Sequence, residues 1–263
     1  MSAVASEFPR SAGRLVMGLQ PVRECLRAHG YGVTELALTA GDSPKLAALE
    51  RFAVAQGVGS VLRLSRGEMD RRAQGGQHQG AIAVAPALVL RPWAEVVVRP
   101  ELIAIALDRV QDPQNFGAVV RSAVATCNAA LVWGEHASAP LTPATFRASA
   151  GAIEHATLSR VPSLKDALAS AREAGAEVIG LAAGATDLLS SIDLRGPTVI
   201  VLGNEAEGLQ HSVRRACSRL AAVVRPRVLD SLNASVAAAI ALYEADRQRN
   251  HPAGRRPPSE STQ

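Results

Sequence analysis

Aromatic side chains are scarce, with four Phe, two Trp and two Tyr in 263 residues, too few for a surface that grips single-stranded nucleic acid mainly by base stacking. Lysine is scarcer still: Lys45 and Lys165 stand alone among 28 basic residues, leaving 28 − 2 = 26 arginines. With so many alanines beside it, this skew reads as a genome-wide composition bias, so arginine abundance by itself says little about a polyanionic partner. Cysteine is limited to Cys25, Cys127 and Cys217, an odd number spaced roughly 90 to 100 residues apart, which fits neither a disulfide framework nor a C-x-x-C site. Reduced, mostly buried thiols are expected. No apolar run approaches the roughly 18 to 20 residues that span a bilayer, and residues 1–14 carry Glu7, Pro9 and Arg10 where a signal peptide needs continuous apolar sequence. A cytosolic protein without membrane contact is the expectation. The chain also lacks G-x-x-x-x-G-K-[ST], G-x-G-x-x-G after a strand and G-x-S-x-G, so nucleotide hydrolysis, dinucleotide redox chemistry and serine-hydrolase chemistry lose their usual sequence support. No cluster has metal-ligand spacing, and no metal is expected.

What is present is core-forming sequence: 48% of residues are hydrophobic and 20% charged, enough for one large or two small domains. The formal charge is +4. Half of that excess lies in 246–263, where Arg247, Arg249, Arg255 and Arg256 face Asp246 and Glu260, a net of 4 − 2 = +2. Residues 250–263 are Pro, Arg and Ser rich and read as a disordered tail.

Patterning divides the rest. After a flexible stretch over 1–14, residues 15–88 read as a small alternating unit: a helix from Pro21 to Arg27, a strand at Val33–Thr39, a helix from Pro44 to Gln56, and strands at Val58–Leu64 and Ala81–Ala85. Between the last two, Arg66 to Gly80 is polar and ends in Gly75-Gly76-Gln77-His78-Gln79-Gly80, which reads as a mobile loop. Residues 89–100, with Pro92 and Pro100, read as a linker. Within 101–249, near-continuous apolar strands at Leu102–Leu107, Ala129–Val132, Ala176–Leu181, Thr198–Leu202 and Leu220–Val224 alternate with helical spacing. That order predicts an α/β domain with a mainly parallel sheet covered on both faces. Its ligands should bind beyond the carboxyl ends of the strands, in the loops after Leu107, Leu181, Leu202 and Val224. A last helix over Ser231–Gln248, capped by Asp230 or Ser231, carries Leu232, Val236, Ile240 and Tyr243 on one stripe.

Three polar clusters occupy those loops. In Asp108 to Ala123, a strand turns at Asp112-Pro113, and Asn115 and Arg121 then project from the first two helical turns. A cation among Val119, Val120 and Ala123 needs an anionic partner; equally, Asn115 could cap the helix and Arg121 pair with a structural carboxylate. In Leu202 to Leu209, Gly203 and Gly208 permit a tight turn around Glu205, which on its own suits an ordinary strand-to-helix turn. The run Asp230 to Ser235 serves as well for simple helix capping.

Taken together, Asp112-Pro113-x-Asn115-x-Gly117 with Arg121, Gly203-x-Glu205-x-x-Gly208, and Ser231-Leu232-Asn233-x-Ser235 leading into Ala237 closely resemble the three motifs of the SpoU (TrmH) family of RNA ribose 2'-O-methyltransferases, in the SPOUT superfamily. Gly18-Leu19-Gln20-Pro21-Val22 and His78-Gln79-Gly80 are similar to the substrate-binding domain of its ribosomal branch, which includes the enzyme that methylates a guanosine of 23S ribosomal RNA. One departure stands out: where the family usually has Ile-Pro-Met, this chain has Arg225-Pro226-Arg227.

The resemblance implies a carboxyl-terminal parallel sheet with a deep trefoil knot, an L30e-like amino-terminal RNA-binding domain, S-adenosylmethionine as cofactor and a homodimer. It implies cofactor contacts from Ala182, Gly184, Leu202, Gly203, Gly208, Val224, Ser231, Leu232 and Asn233. It gives catalytic roles to Arg121, Asn115, Glu205 and Asn233, and RNA contacts to Arg71, Arg72, His78, Gln79 and Arg121. Methyl transfer from a sulfonium needs in-line placement and a more nucleophilic ribose oxygen rather than a metal. With a pKa above about 12, Arg121 suits charge stabilisation better than proton abstraction. A transfer-RNA 2'-O-methyltransferase, a resistance enzyme acting on a ribosomal adenosine, and an inactive ribosome assembly factor are the alternatives.

Overall fold

The computed structural model describes residues 13–136, 138, 141–225 and 232–250. In chain order the elements are β1 (Arg14–Met17), α1 (Leu19–His29), β2 (Glu35–Thr39), α2 (Pro44–Ala55), β3 (Val61–Leu64), α3 (Arg66–Ala73), β4 (Ala81–Ala85), α4 (Trp93–Val97), β5 (Ile103–Leu107), α5 (Pro113–Ala125), β6 (Ala130–Gly134) and α6 (Pro143–Ala148). There follow β7 (Leu158–Val161), α7 (Leu164–Glu173), β8 (Glu177–Leu181), β9 (Asp187–Leu188), β10 (Thr198–Leu202), α8 (His211–Ala216), β11 (Arg219–Ala222) and α9 (Ala234–Asn250). They pack as two compact units that do not simply follow the chain: one holds the residues up to Val89 together with 112–121 and 139–155, the other the remainder.

The first unit is built on a four-stranded sheet of order β1-β4-β2-β3, with β2 and β3 parallel and the other pairs antiparallel. Val22, Cys25 and Leu26 of α1 and Leu46, Leu49 and Ala53 of α2 cover one face, against Leu36, Leu38, Ala81 and Ala83. Met69 and Ala73 of α3 cover the other, against Met17, Ala37 and Ile82. Three expectations are corrected in this unit. Residues 66–73, expected as part of a mobile loop, form α3, because Ser65 and Glu68 make a reciprocal capping box and Met69 and Ala73, four apart, drive one face into the core. Glycine density belongs to 75–80 only. Arg14, expected at the end of a flexible stretch, opens β1 in register with Ala85. The strand expected from Val58 is confined to Val61–Leu64.

Arg14 is buried, and the Glu154 carboxylate and Phe146 are buried with it. Its guanidinium stacks over the Phe146 ring at 5.2 Å, donates from Nε to Pro86 O at 2.8 Å, and forms a two-pronged pair with the Glu154 carboxylate, the Nη1 arm at 2.8 Å. His29 Nε2 meets the same carboxylate at 2.9 Å. Burial alone would raise the Glu154 pKa, but the bonds from His29 and Arg14 outweigh it and hold the carboxyl below its ordinary value. Nearby, Gly151 lies at φ +86°, where an added Cβ would stand 2.9 Å from the Pro21 Cα; only glycine allows that approach.

The second unit is a seven-stranded sheet of order β7-β6-β5-β10-β8-β11-β9, parallel throughout. The parallel α/β architecture expected from the strand pattern is therefore present. Alternate residues of its central strands, Ala104 and Ala106, Val199 and Val201, Ala130 and Val132, share one buried face with Leu168 and Ala171 of α7, while Ile105 and Ile200 are as deeply buried on the other. The expected linker is corrected: Trp93, Val96 and Val97 of α4 belong to this core, and Trp93 Nε1–H donates to Ala167 O at 2.9 Å. Strand β7, not expected from the sequence, pairs with β6 in spite of its polar Ser159 and Arg160.

Helix α9 begins at Ala234, later than expected. Its cap is Asn233, whose Oδ1 accepts from the Ser235 amide at 2.9 Å and the Val236 amide at 3.4 Å; the caps expected at Asp230 and Ser231 lie outside the described residues. Ala238, Ala241, Leu242 and Ala245 are its buried face, so Val236, Ile240 and Tyr243 of the expected apolar stripe point to solvent, Tyr243 being 62% exposed, while Leu232 lies ahead of the helix. At its end Arg249 reaches four carbonyls, those of Leu194, Glu101, Leu102 and Gly196. Residues 1–12, 226–231 and 251–263 lie outside the described residues.

Removing one partner of a buried ion pair strands the other charge, so Glu154→Ala should cost about 3–5 kcal/mol, read as a lower urea midpoint. The pH sign follows from the lowered pKa: the stabilisation is complete above the unfolded carboxyl value of about 4.3 and disappears as pH falls through the folded one. Wild-type protein should therefore lose more stability between about pH 5 and pH 3 than Glu154→Gln, measured by urea titration at each pH.

Candidate active site

In the second unit the chain runs from β5 outward to β6 and β7, and returns to place β8 and β10 on the other side of β5. Order reverses there, and the crevice beyond the strand ends is where such sheets bind ligands. A cavity of about 1070 Å³ opens beside that point, beyond the carboxyl ends of β8, β10 and β11. Three walls enclose it: Leu181, Ala182, Ala183 and Gly184 after β8, the turn from Leu202 to Leu209 after β10, and Val223, Val224 and Arg225 after β11, with Leu232, Ala234 and Ala237 around the start of α9.

The β10 turn is held by backbone proximity and one side chain. Asn204 and Gly208 exchange two backbone hydrogen bonds, at 3.1 and 2.9 Å. Gly203 lies so close beneath that an added Cβ would stand 2.3 Å from the Gly208 carbonyl carbon, while Gly208 itself sits at φ +67°. Both glycines are thus required by shape. Asn204 supplies an Asx-type turn: its Oδ1 accepts from the amides of Ala206 at 2.9 Å and Glu207 at 3.3 Å, and its Nδ2 donates to Arg109 O at 3.0 Å. Glu205 and Glu207 are exposed on the crown.

The loop after β5 braces the same turn. Asp108 is buried, and its Oδ2 accepts the Gln210 amide at 2.6 Å. Burial pushes its pKa up, against the opposing pull of that amide and of Arg109. Arg109, in the left-handed region at φ +57°, places Nη1 2.5 Å from Glu207 Oε2. A non-glycine residue held there is strain maintained by its surroundings. Asn204, Asp108 and Arg109 were not singled out from the sequence. An Asn directly after a strand-ending glycine was the available signal for the first; nothing in the sequence marks the other two.

Of the residues tied to the cofactor by resemblance, Ala182, Gly184, Leu202, Gly203, Gly208, Val224 and Leu232 line one cavity, joined by Glu205. Asn233 stands beside it in sequence as the exposed cap of α9, and Ser231 lies outside the described residues. Asn115 and Arg121 are on α5, within the segment that packs with the first unit; Asn115 is half-buried and Arg121 exposed. Asp112 caps the start of α5, its Oδ1 accepting the Gln114 amide at 3.0 Å. Gly117 on the same helix admits no side chain, since a Cβ would meet Thr145 O at 2.7 Å.

In the first unit three of the residues expected at RNA have protein partners. Arg72 pairs with Glu35. His78 Nδ1 accepts the Gly80 amide at 3.0 Å, which leaves Nε2 to carry the proton toward Asp70 Oδ1, also at 3.0 Å. Gln79 Oε1 accepts the Leu19 amide at the start of α1. Arg71 is exposed.

Residues 102–243 match the family model of the SpoU rRNA Methylase family, and residues 15–88 match that for RNA 2'-O ribose methyltransferase substrate binding. The chain belongs to the SpoU family of RNA methyltransferases. A relative from Mycolicibacterium smegmatis, named as an uncharacterized tRNA/rRNA methyltransferase, is 36% identical, covering 94% of this chain and 82% of its own. A similarly named Mycobacterium tuberculosis protein is also 36% identical, over 94% of this chain and 77% of its own. Among solved structures, the SpoU methyltransferase AviRb of Streptomyces viridochromogenes in complex with AdoMet aligns at TM-score 0.75 and 27% identity over 91% of both chains. An AdoMet-bound rRNA methyltransferase of Sinorhizobium meliloti aligns at TM-score 0.73 and 26% identity over 89% of this chain and 87% of its own. A structure concerned with 2-OH methylation of C/U34 on tRNA aligns at TM-score 0.51 and 28% identity over 56% of this chain and 96% of its own.

If Asn204 organises the β10 turn of this SpoU enzyme, Asn204→Ala should weaken it by about 1–3 kcal/mol. The Ala206 and Glu207 amides should then exchange with deuterium roughly 5 to 100 times faster, while amides of β5 and β10 change little.

Proposed function

We propose that this protein transfers the methyl group of S-adenosylmethionine to the 2'-hydroxyl of a ribose, that of a guanosine in 23S ribosomal RNA. The observation that carries the reading is the cavity beyond the carboxyl ends of β8, β10 and β11, walled on one side by the glycine-shaped turn at 203–208, in a chain whose likeness to AdoMet-bound SpoU structures extends over about nine-tenths of its length. The cavity fits such a cofactor: its size lies at the upper end of small-molecule sites, its walls combine apolar side chains such as Leu181, Leu202 and Leu209 with the small Ala182, Ala183 and Gly184 and the turn at 203–208, and an added Cβ at Gly184 would meet nothing within 4 Å. Bound there, the cofactor supplies a methyl group on a sulfonium, already activated for displacement.

The protein must then orient and activate the ribose oxygen. In this reading Arg121 holds a neighbouring phosphate and stabilises charge developing on the 2'-oxygen, a role that suits a permanently charged guanidinium. Asn115 orients the substrate or Arg121, Glu205 pairs with or positions Arg121, and Asn233 with Ser231 holds the cofactor edge. Asn233 does so while its Oδ1 caps α9, which ties the cofactor wall to the helix. Arg71, Arg72, His78 and Gln79 belong to the RNA face of the first unit. His78 and Gln79 act there by shaping the 78–80 turn, given their bonds to Gly80, Asp70 and Leu19, and Arg71 by direct contact with phosphate.

The exposed stripe of Val236, Ile240 and Tyr243 on α9 suits burial against a second copy, and a homodimer with the trefoil-knotted topology of the superfamily is part of the proposal, as is a cytosolic setting. No helix among the described residues is long and apolar enough to cross a membrane. A ribosomal substrate is favoured over transfer RNA because the rRNA methyltransferase aligns over both units, whereas the tRNA-related structure aligns over little more than half of the chain.

Mass-spectrometric mapping of 2'-O-methyl groups in RNA from cells with and without the gene should show one guanosine methylation missing from 23S RNA. A missing transfer-RNA methyl would move the substrate, and an unchanged map would leave a non-catalytic assembly role. With the substrate in hand, Arg121→Ala should lower kcat by at least about 100-fold while the Kd for S-adenosylmethionine changes less than about threefold. A large loss of cofactor binding instead would make Arg121 structural.

A further inference from the structure

The loop between β8 and β9 forms one wall of the cavity, and its two feet are fixed by backbone. Ala182 N–H donates to Ala221 O at 2.9 Å, and Asp187 and Leu188 pair with Ala221 and Ala222 of β11. Its crown is different. Gly184 has open space around it, and the Ala185 amide folds back only onto Ala182 O. From just beyond β11, the strand that lies between β8 and β9, Arg225 reaches this crown: Nη2–H donates to Thr186 O at 2.7 Å and Nη1–H to Ala185 O at 3.4 Å. Both acceptors are neutral carbonyls, and among the described residues no carboxylate forms an ion pair with Arg225. A planar guanidinium is suited to this use, since its forked N–H groups can hold two carbonyls at once.

We propose that Arg225 is a positioning residue for the cofactor: it straps the crown of the 182–186 loop to the end of β11 and so holds one wall of the cavity in its binding shape. The inference rests on the assignment of this cavity to S-adenosylmethionine. Without the strap the loop must be ordered each time the ligand binds, and that ordering cost appears as weaker affinity with the chemical step left largely alone. The strap acts on the pocket and not on the ribose, so KM should move and kcat should not move with it.

The test is a titration of full-length wild type, Arg225→Ala and Arg225→Lys with S-adenosylhomocysteine by calorimetry, paired with steady-state methylation of the RNA substrate. Arg225→Ala should raise the Kd and the KM for S-adenosylmethionine about tenfold, with kcat falling less than about threefold and the melting temperature of the unliganded protein within about 2 °C of wild type. Arg225→Lys, which keeps one donor, should fall between the two. A Kd for Arg225→Ala within about twofold of wild type overturns the inference while leaving the cofactor assignment intact. So does a kcat loss as large as the KM rise, or a large drop in unliganded melting temperature. Absence of binding by wild type overturns the assignment and the inference together.

Discussion

The candidate site depends on one pairing constraint, the insertion of β10 between β5 and β8 in continuous parallel register, Leu202 beside Leu107 and Val201 beside Gly180. A parallel strand so placed must be buried on both faces, and the five residues of β10 are all buried. Its position fixes where the chain emerges. The 203–208 turn leaves the sheet directly beside the loop after β5, close enough for Asn204 to bond Arg109 O and for Asp108 to accept the Gln210 amide. Moving β10 by one place would separate these groups by a strand spacing of roughly 4.8 Å.

Two of the ion pairs differ sharply in their physical setting. Arg14 and the Glu154 carboxylate are enclosed, with the partly exposed His29 beside them, so each of the two buried charges depends on the other and the arrangement is sensitive to loss of either. Arg109 and Glu207 form a pair with its carboxylate largely exposed, which contributes little by charge attraction alone. Its value is geometric: Arg109 is held in a left-handed conformation by contacts that also shape the turn. Burial acts on the thiols in the same way, pushing Cys25 up to about 12 and Cys217 to about 11 by desolvation, which favours their protonated form.

Much of the architecture was legible because apolar runs of five residues between helical segments have few other interpretations. Strands β5, β8 and β10 lie where those runs lie. The elements that escaped were those whose burial is not written in their own hydrophobicity. Strand β7 carries Ser159 and Arg160, with Ser159 buried only because its hydroxyl finds Arg91 O. Helix α4 sits among prolines, and α3 beside a glycine-rich turn that obscured its capping box.

The sequence alone determined the composition of the site: two glycines with a fixed spacing, a carboxylate between them, and an asparagine ahead of the last helix, because the chemistry of a tight turn and a cap permits few residue types. It could not determine which side chains hold those pieces in place. That Asn204 rather than Glu205 organises the turn, that Arg225 is strapped to Ala185 and Thr186, and that the stripe on α9 faces outward while its alanines face in were decided by tertiary structure. The reason is that each depends on the distance between segments remote in sequence, set by strand order, and no local pattern encodes that distance.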